Sequence, residues 1–146
     1  NVDMGVDEAC QLGTADGFDL TSLVDGLGDA HRCWKAALPG NVVQLTIPPP
    51  AAAIVGKVGV GFFEFFTNGA PGPITPLGLA SVHIDPFGPQ TVYYSISPIG
   101  SAGETLTISI PVVLSGVTVR AQFIAISSAV SNGLFAATSA HDIMIQ

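Results

Sequence analysis

Beyond residue 40, apolar and polar positions alternate with a period of two, the pattern of strands with one face in a core. Glu104–Ile110 is the clearest: Leu106, Ile108 and Ile110 face one way, Thr105, Thr107 and Ser109 the other. Asn41–Ile47 aligns Val43, Leu45 and Ile47, Thr91–Ser97 aligns Val92, Tyr94 and Ile96, and short Ser81–Asp85 aligns Val82 and Ile84. Three longer runs, Ile54–Phe66, Val117–Ser128 and Leu134–Gln146, are apolar on both faces. A strand apolar on both sides is covered on both sides. One sandwich core covers one face; a partner subunit or the N-terminal segment must cover the other. Phe63 and Phe65 in the first run, and Ile124 and Ile126 in the second, are the predicted contact positions.

The punctuation between the runs fits a meander or Greek key. Pro48–Pro50 stops one strand, and Pro71–Pro76 makes a long connection. Asn68–Gly69 and Asn132–Gly133 are hairpin dipeptides, because both residue types tolerate positive φ. Seven strands without a helical period predict an all-β, two-sheet antiparallel sandwich, Ig-like or jelly-roll-like, over residues 41–146. Residues 1–40 read as a separate acidic segment. Val2, Met4 and Val6 alternate with Asp3, Gly5 and Asp7, which predicts a short strand. Leu20, Leu23, Val24 and Leu27 are spaced for a short amphipathic helix, capped by Asp16 or Asp19 and ended by Gly26 and Gly28.

Composition sharpens this picture. Mean hydropathy is +0.55 and only 10% of the 146 residues are charged, against about 25% in a typical soluble domain. So bare a surface is expected to be covered largely by other protein. The net charge of −7 is uneven: Asp3, Asp7, Glu8, Asp16, Asp19, Asp25 and Asp29 precede the first base, and the rest is neutral. No basic patch exists to displace counterions, so no nucleic-acid partner is expected. No apolar run reaches the roughly 18 residues of a membrane-spanning helix; Ile54–Phe66 is interrupted by Lys57 and Glu64. A chain starting at Asn1 reads as a mature secreted product, or as one cut at an arbitrary boundary. Cys10 and Cys33 are expected to form one disulfide outside the cytoplasm, with two buried thiols as the alternative.

From Gly40 onward the order of features resembles small β-sandwich modules at the C-terminal ends of secreted bacterial surface proteins. The resemblance rests on Gly40–Ile47, on Pro76-Leu77-Gly78 before Val82-His83-Ile84-Asp85-Pro86, on Gly103–Pro111, on Leu114-Ser115-Gly116-Val117, on Arg120-Ala121-Gln122-Phe123, and on Ser131-Asn132-Gly133-Leu134. It implies an adhesive or assembly role and carries over no catalytic residue.

Candidate chemistry is sparse. His83 and Asp85 on one strand, with distant His141, make a two-histidine, one-carboxylate set of the kind that binds Fe(II). The bland reading places His83 and Asp85 on a solvated strand face. Asp16, Asp19, Asp25 and Asp29 could hold Ca²⁺, but without the EF-hand spacing they read as a solvated acidic stretch. Trp34, Tyr93 and Tyr94 could stack on sugars, though a lone Trp beside Cys33 more often packs on a disulfide. A surface sandwich could also hold an isopeptide from Lys57 or Lys35 to an Asn beside Glu64. Gly59-Val60-Gly61 within a strand reads as close backbone packing. No catalytic residue, metal or cofactor is expected. The sequence predicts a non-enzymatic extracellular protein assembling with copies of itself into a filament or surface layer, with the Val2–Val6 strand seated in an apolar groove either of a neighbouring subunit, by strand donation, or of its own sandwich. The alternative is an extracellular binding module for glycan or a surface protein.

Overall fold

The computed structural model describes residues 11–70, 79 and 81–146. It is all-β, with strands β1 (Thr21–Val24), β2 (Trp34–Ala37), β3 (Val42–Ile47), β4 (Val58–Thr67), β5 (Thr91–Ser95), β6 (Glu104–Ser109), β7 (Val117–Ile126), β8 (Phe135–Ala137) and β9 (His141–Ile145). A short 3₁₀ turn covers Val112–Leu114. Three strands form one sheet in the order β1-β3-β6. The other sheet runs β2-β9-β7-β4-β5, with β8 also paired to β7. Among the described residues no helix is long and apolar enough to cross a membrane.

Alternation explains the core. Val43, Leu45 and Ile47 of β3 are buried against Ala121, Phe123 and Ala125 of β7, and Phe63, Ile143 and Ile145 complete the layer. The central strands β4 and β7 pair over ten positions, from Val58↔Ile126 to Thr67↔Val117. Gly61 stands opposite Phe123 in that ladder, and a Cβ there would lie 2.5 Å from the ring, so the glycine makes room for the phenyl group. Asn132 and Gly133 form the β7–β8 turn, with Gly133 at φ 75° and the Asn132 side chain accepting the Leu134 and Phe135 amides.

The structure differs from several of these expectations. The Asp19–Leu27 stretch is not a helix. Thr21–Val24 pairs antiparallel with β3, and Leu20 and Ser22 point inward while Leu27 is exposed. Asp25, at φ 53°, and Gly26 turn the chain instead, and the Asp25 carboxylate accepts Asn41 Nδ2 and the Val42 amide. The sandwich is not purely antiparallel, because β2 runs parallel to β9. With β1 and β2 in its two sheets, the sandwich takes strands from both sides of residue 40. Ser81–Asp85 is no strand, although Val82 and Ile84 are buried as the alternation requires. Leu134–Gln146 splits into β8 and β9, which pair in turn along the same edge of β7.

Candidate functional site

The six-stranded sheet has its own cover on part of its outer face. Opposed residues of paired strands share a face, so Asp142, Arg120, Glu64 and Thr91 form one row across β9, β7, β4 and β5. Arg120 grips Asp142 with Nε and Nη2 at 2.7 and 2.9 Å, a bidentate ion pair, and its guanidinium lies 5.3 Å from the Phe66 ring centroid. The loop after residue 81 docks on this belt. Arg120 Nη1 donates to the His83 carbonyl, the Asp85 amide donates to Glu64 Oε1 at 2.6 Å, and Gln122 accepts from the His83 amide. Burial beneath the loop holds the Glu64 carboxyl above its ordinary range. The second face of β4 and β7 is thus covered here by the chain's own loop.

His83, Asp85 and His141 are not brought together. His83 Nε2 bonds the Leu12 carbonyl at 2.9 Å, and Asp85 Oδ1 accepts the Phe87 amide, both beside the outer face. His141 lies on the opposite face, opposed to Ala121, with Nδ1 2.7 Å from Ser22 Oγ. The acidic residues are dispersed as well: Asp16 accepts from Ser131, Asp25 from residues 41 and 42, and Asp29 from the His31 amide. Among the described residues no group of three His, Cys, Asp or Glu side chains could hold a metal ion. Lys35 faces Ser22 inside the sandwich, whereas Glu64 faces outward, so Glu64 does not stand beside Lys35 to promote an isopeptide to an Asn. Tyr93 and Tyr94 point to opposite faces of β5 and make no row with Trp34.

One constellation was not foreseen. Ser22 Oγ accepts from Lys35 Nζ at 3.0 Å and shares a hydrogen bond of 2.7 Å with His141 Nδ1, and Lys35 also donates to the Arg32 carbonyl. Each of these residues reads as surface-polar in sequence, and only the pairing of β1 with β3 and β2 with β9 buries all three. Desolvation, reinforced by the Lys35 charge, lowers the His141 pKa to about 4. Ser22 is only 1% exposed, so no substrate reaches its hydroxyl. The trio bolts the two sheets together on the β1/β2 side.

The other side is open. Among the described residues, β5 pairs only with β4 and β6 only with β3, leaving two strand edges without a neighbour. Val92 and Tyr94 stand opposite Phe63 and Gly61 and so face the three-stranded sheet, yet they are 55% and 42% exposed. A cavity of about 220 Å³ enters the sandwich there, lined only by apolar side chains, among them Val92, Ile108, Ile110, Phe63 and Phe65. A second recess continues past Tyr94, Ile96 and Leu106. Protein interiors are close-packed, so this apolar hollow between two edges is a space that the described residues leave unfilled.

The expected contact residues divide between two surfaces. Phe63 is buried and Phe65 half-buried, both facing inward at the floor of this hollow. Ile124, half-buried, and Ile126, 58% exposed, lie on the outer face with Val60 and Val58. The four therefore do not form one patch. Val2, Met4, Val6 and Cys10 lie outside the described residues, as does the Pro71–Pro76 connection. There is no free cysteine among the described residues. Compared with protein-family models, curated proteins and solved structures, the chain matches none.

Proposed function

We propose that the chain is a secreted structural protein, a self-assembling subunit of an extracellular filament or surface layer. The observation that carries this reading is the open side: inward-facing Val92 and Tyr94 are exposed above an apolar cavity between the edges of β5 and β6, which have no neighbour among the described residues. Such edges pair with another chain when one is at hand, and burying the cavity's lining rewards that pairing. The sparse charge and high hydropathy support it, since a chain with 10% charged residues gains more than most by covering surface. The resemblance of residues 40–146 to modules of secreted surface proteins supports the location. A Cys10–Cys33 bridge belongs to the same reading and would contribute roughly 3 kcal/mol in the chain-entropy model. Mass analysis of non-reduced peptides should find Cys10 and Cys33 in one linked pair.

Sedimentation velocity and negative-stain microscopy test the assembly. The chain should form rows or fibres as concentration rises from micromolar to millimolar; a monomer throughout would overturn the proposal. A second reading, an extracellular binding module, is favoured by Phe87 and Tyr93, 80% and 57% exposed and brought together where Tyr93 Oη donates to the Pro86 carbonyl. Saturable binding to a glycan array, abolished by Tyr93→Ala in a monomeric chain, would select it instead.

A further inference from the structure

We infer that the open side between β5 and β6 is the seat of residues 2–6 from a second copy of this chain. The inference rests on the self-assembly reading and adds the occupant. The seat asks for a strand with one apolar face. On one wall Leu106, Ile108 and Ile110 point inward at every second position, and on the other Val92, Tyr94 and Ile96 do the same. Val2, Met4 and Val6 repeat that spacing, with Asp3 and Gly5 between them for the wet face. Three inward residues at this spacing span about 13 Å on either partner. An apolar cavity of about 150 Å³ accepts a benzene molecule. The 220 Å³ here thus admits short aliphatic side chains.

Geometry excludes the chain's own segment. The Ala140 amide donates to Gln11, the Asp142 amide to Cys33, and the Gln146 amide to Ala37, so these alternate amides of β9 all point to the β2 edge. Gln11 therefore lies on that edge, with β9, β7 and β4 between it and β5. At about 4.8 Å per strand the separation is roughly 19 Å across the sheet. Five residues, from Val6 to Gln11, reach at most about 18 Å when fully extended. A bridge from Cys10 to Cys33 would shorten this reach further. The strand can enter a neighbour's groove but not its own. Donor and acceptor surfaces then differ and contacts run head to tail, which yields rings or open filaments.

Two full-length variants test it. Met4→Asp spoils the donor and leaves the groove intact. Val92→Lys changes an exposed side chain at the groove's mouth and leaves the donor intact. Each alone should sediment as a monomer at concentrations where the unmodified chain polymerises. Mixed in equal amounts, they should give a 1:1 dimer and nothing larger, because one intact donor meets one intact groove. If Met4→Asp polymerises like the unmodified chain, residues 2–6 are not the donor. If the mixture stays monomeric, or Val92→Lys polymerises unchanged, the groove is not the seat. Either result overturns this inference while leaving self-assembly standing; a monomeric unmodified chain removes both.

Discussion

At the scale of single residues, the fold is fastened by polar side chains whose burial only the tertiary structure reveals. His141 is the most consequential. Its folded pKa, lowered to about 4 by burial and the nearby Lys35 charge, lies below the ordinary 6.5, while the Asp142 charge and the Leu20 backbone pull weakly the other way and exposed His31 adds a small lowering. The unfolded chain therefore takes up a proton below pH 6.5 that the folded chain refuses until pH 4. Stability should be level above pH 7 and fall as pH drops through that window, by roughly 2–3 kcal/mol at pH 4.5. Urea unfolding at pH 7 and pH 4.5 measures this difference, and His141→Gln should flatten it. Gln122 is the second fastener: fully buried, it accepts the His83 amide and donates to the Ser81 and Thr138 carbonyls at 2.7 and 2.8 Å. Gln122→Leu keeps the volume but orphans those backbone groups. It should cost about 2–4 kcal/mol and lower the melting temperature by roughly 5–10 °C in a calorimetric scan.

At the scale of elements, legibility followed the apolar alternation. β3, β6 and β7 are readable because Val43, Leu45, Ile108, Val119 and Phe123 announce their faces without a polar interruption. β1 and β2 are not, because Ser22 and Lys35 occupy inward positions and break the period. A spurious three-four spacing of leucines then reads as a helix, although Gly26 and Gly28 leave too few residues to sustain one. Val82 and Ile84 were rightly expected inside, but the backbone around them bonds to the side chains of Gln122 and Glu64 rather than to a ladder. The expected contact residues divide between two surfaces for a different reason: both faces of β4 are apolar, and sequence alone does not say which of Phe62 and Phe63 is inside. The close packing expected at Gly59 and Gly61 is present. Gly61→Ala would push a methyl group into Phe123, which is already held edge-on against Phe63 at 5.9 Å. A loss of about 1–3 kcal/mol, read as a shift in the urea midpoint, is the expected result.

At the scale of the whole molecule, the described residues bolt one edge of the sandwich and leave the other ajar. The Ser22–His141–Lys35 trio and β2 close the first side, while β5 and β6 hold the second apart over an apolar hollow. A subunit whose core is completed by a neighbour draws part of its stability from association. Seating three side chains of the Val and Met class stabilises by roughly 1.5–3 kcal/mol each before ordering costs, a large share of the 5–15 kcal/mol typical of a domain. Binding to the folded but not the unfolded state raises stability with the logarithm of the free partner's concentration, up to about 1.4 kcal/mol for each tenfold increase. The melting temperature of the unmodified chain should therefore climb by roughly 2–5 °C per tenfold rise in protein concentration once assembly sets in. Val92→Lys, confined to the monomer, should melt at one concentration-independent temperature, equal to the dilute limit of the unmodified chain. Differential scanning calorimetry over two decades of concentration reads both. Parallel, concentration-independent curves for the two proteins would mean that the open side contributes nothing to holding the fold together, and that the hollow is simply a tolerated defect of a self-sufficient sandwich.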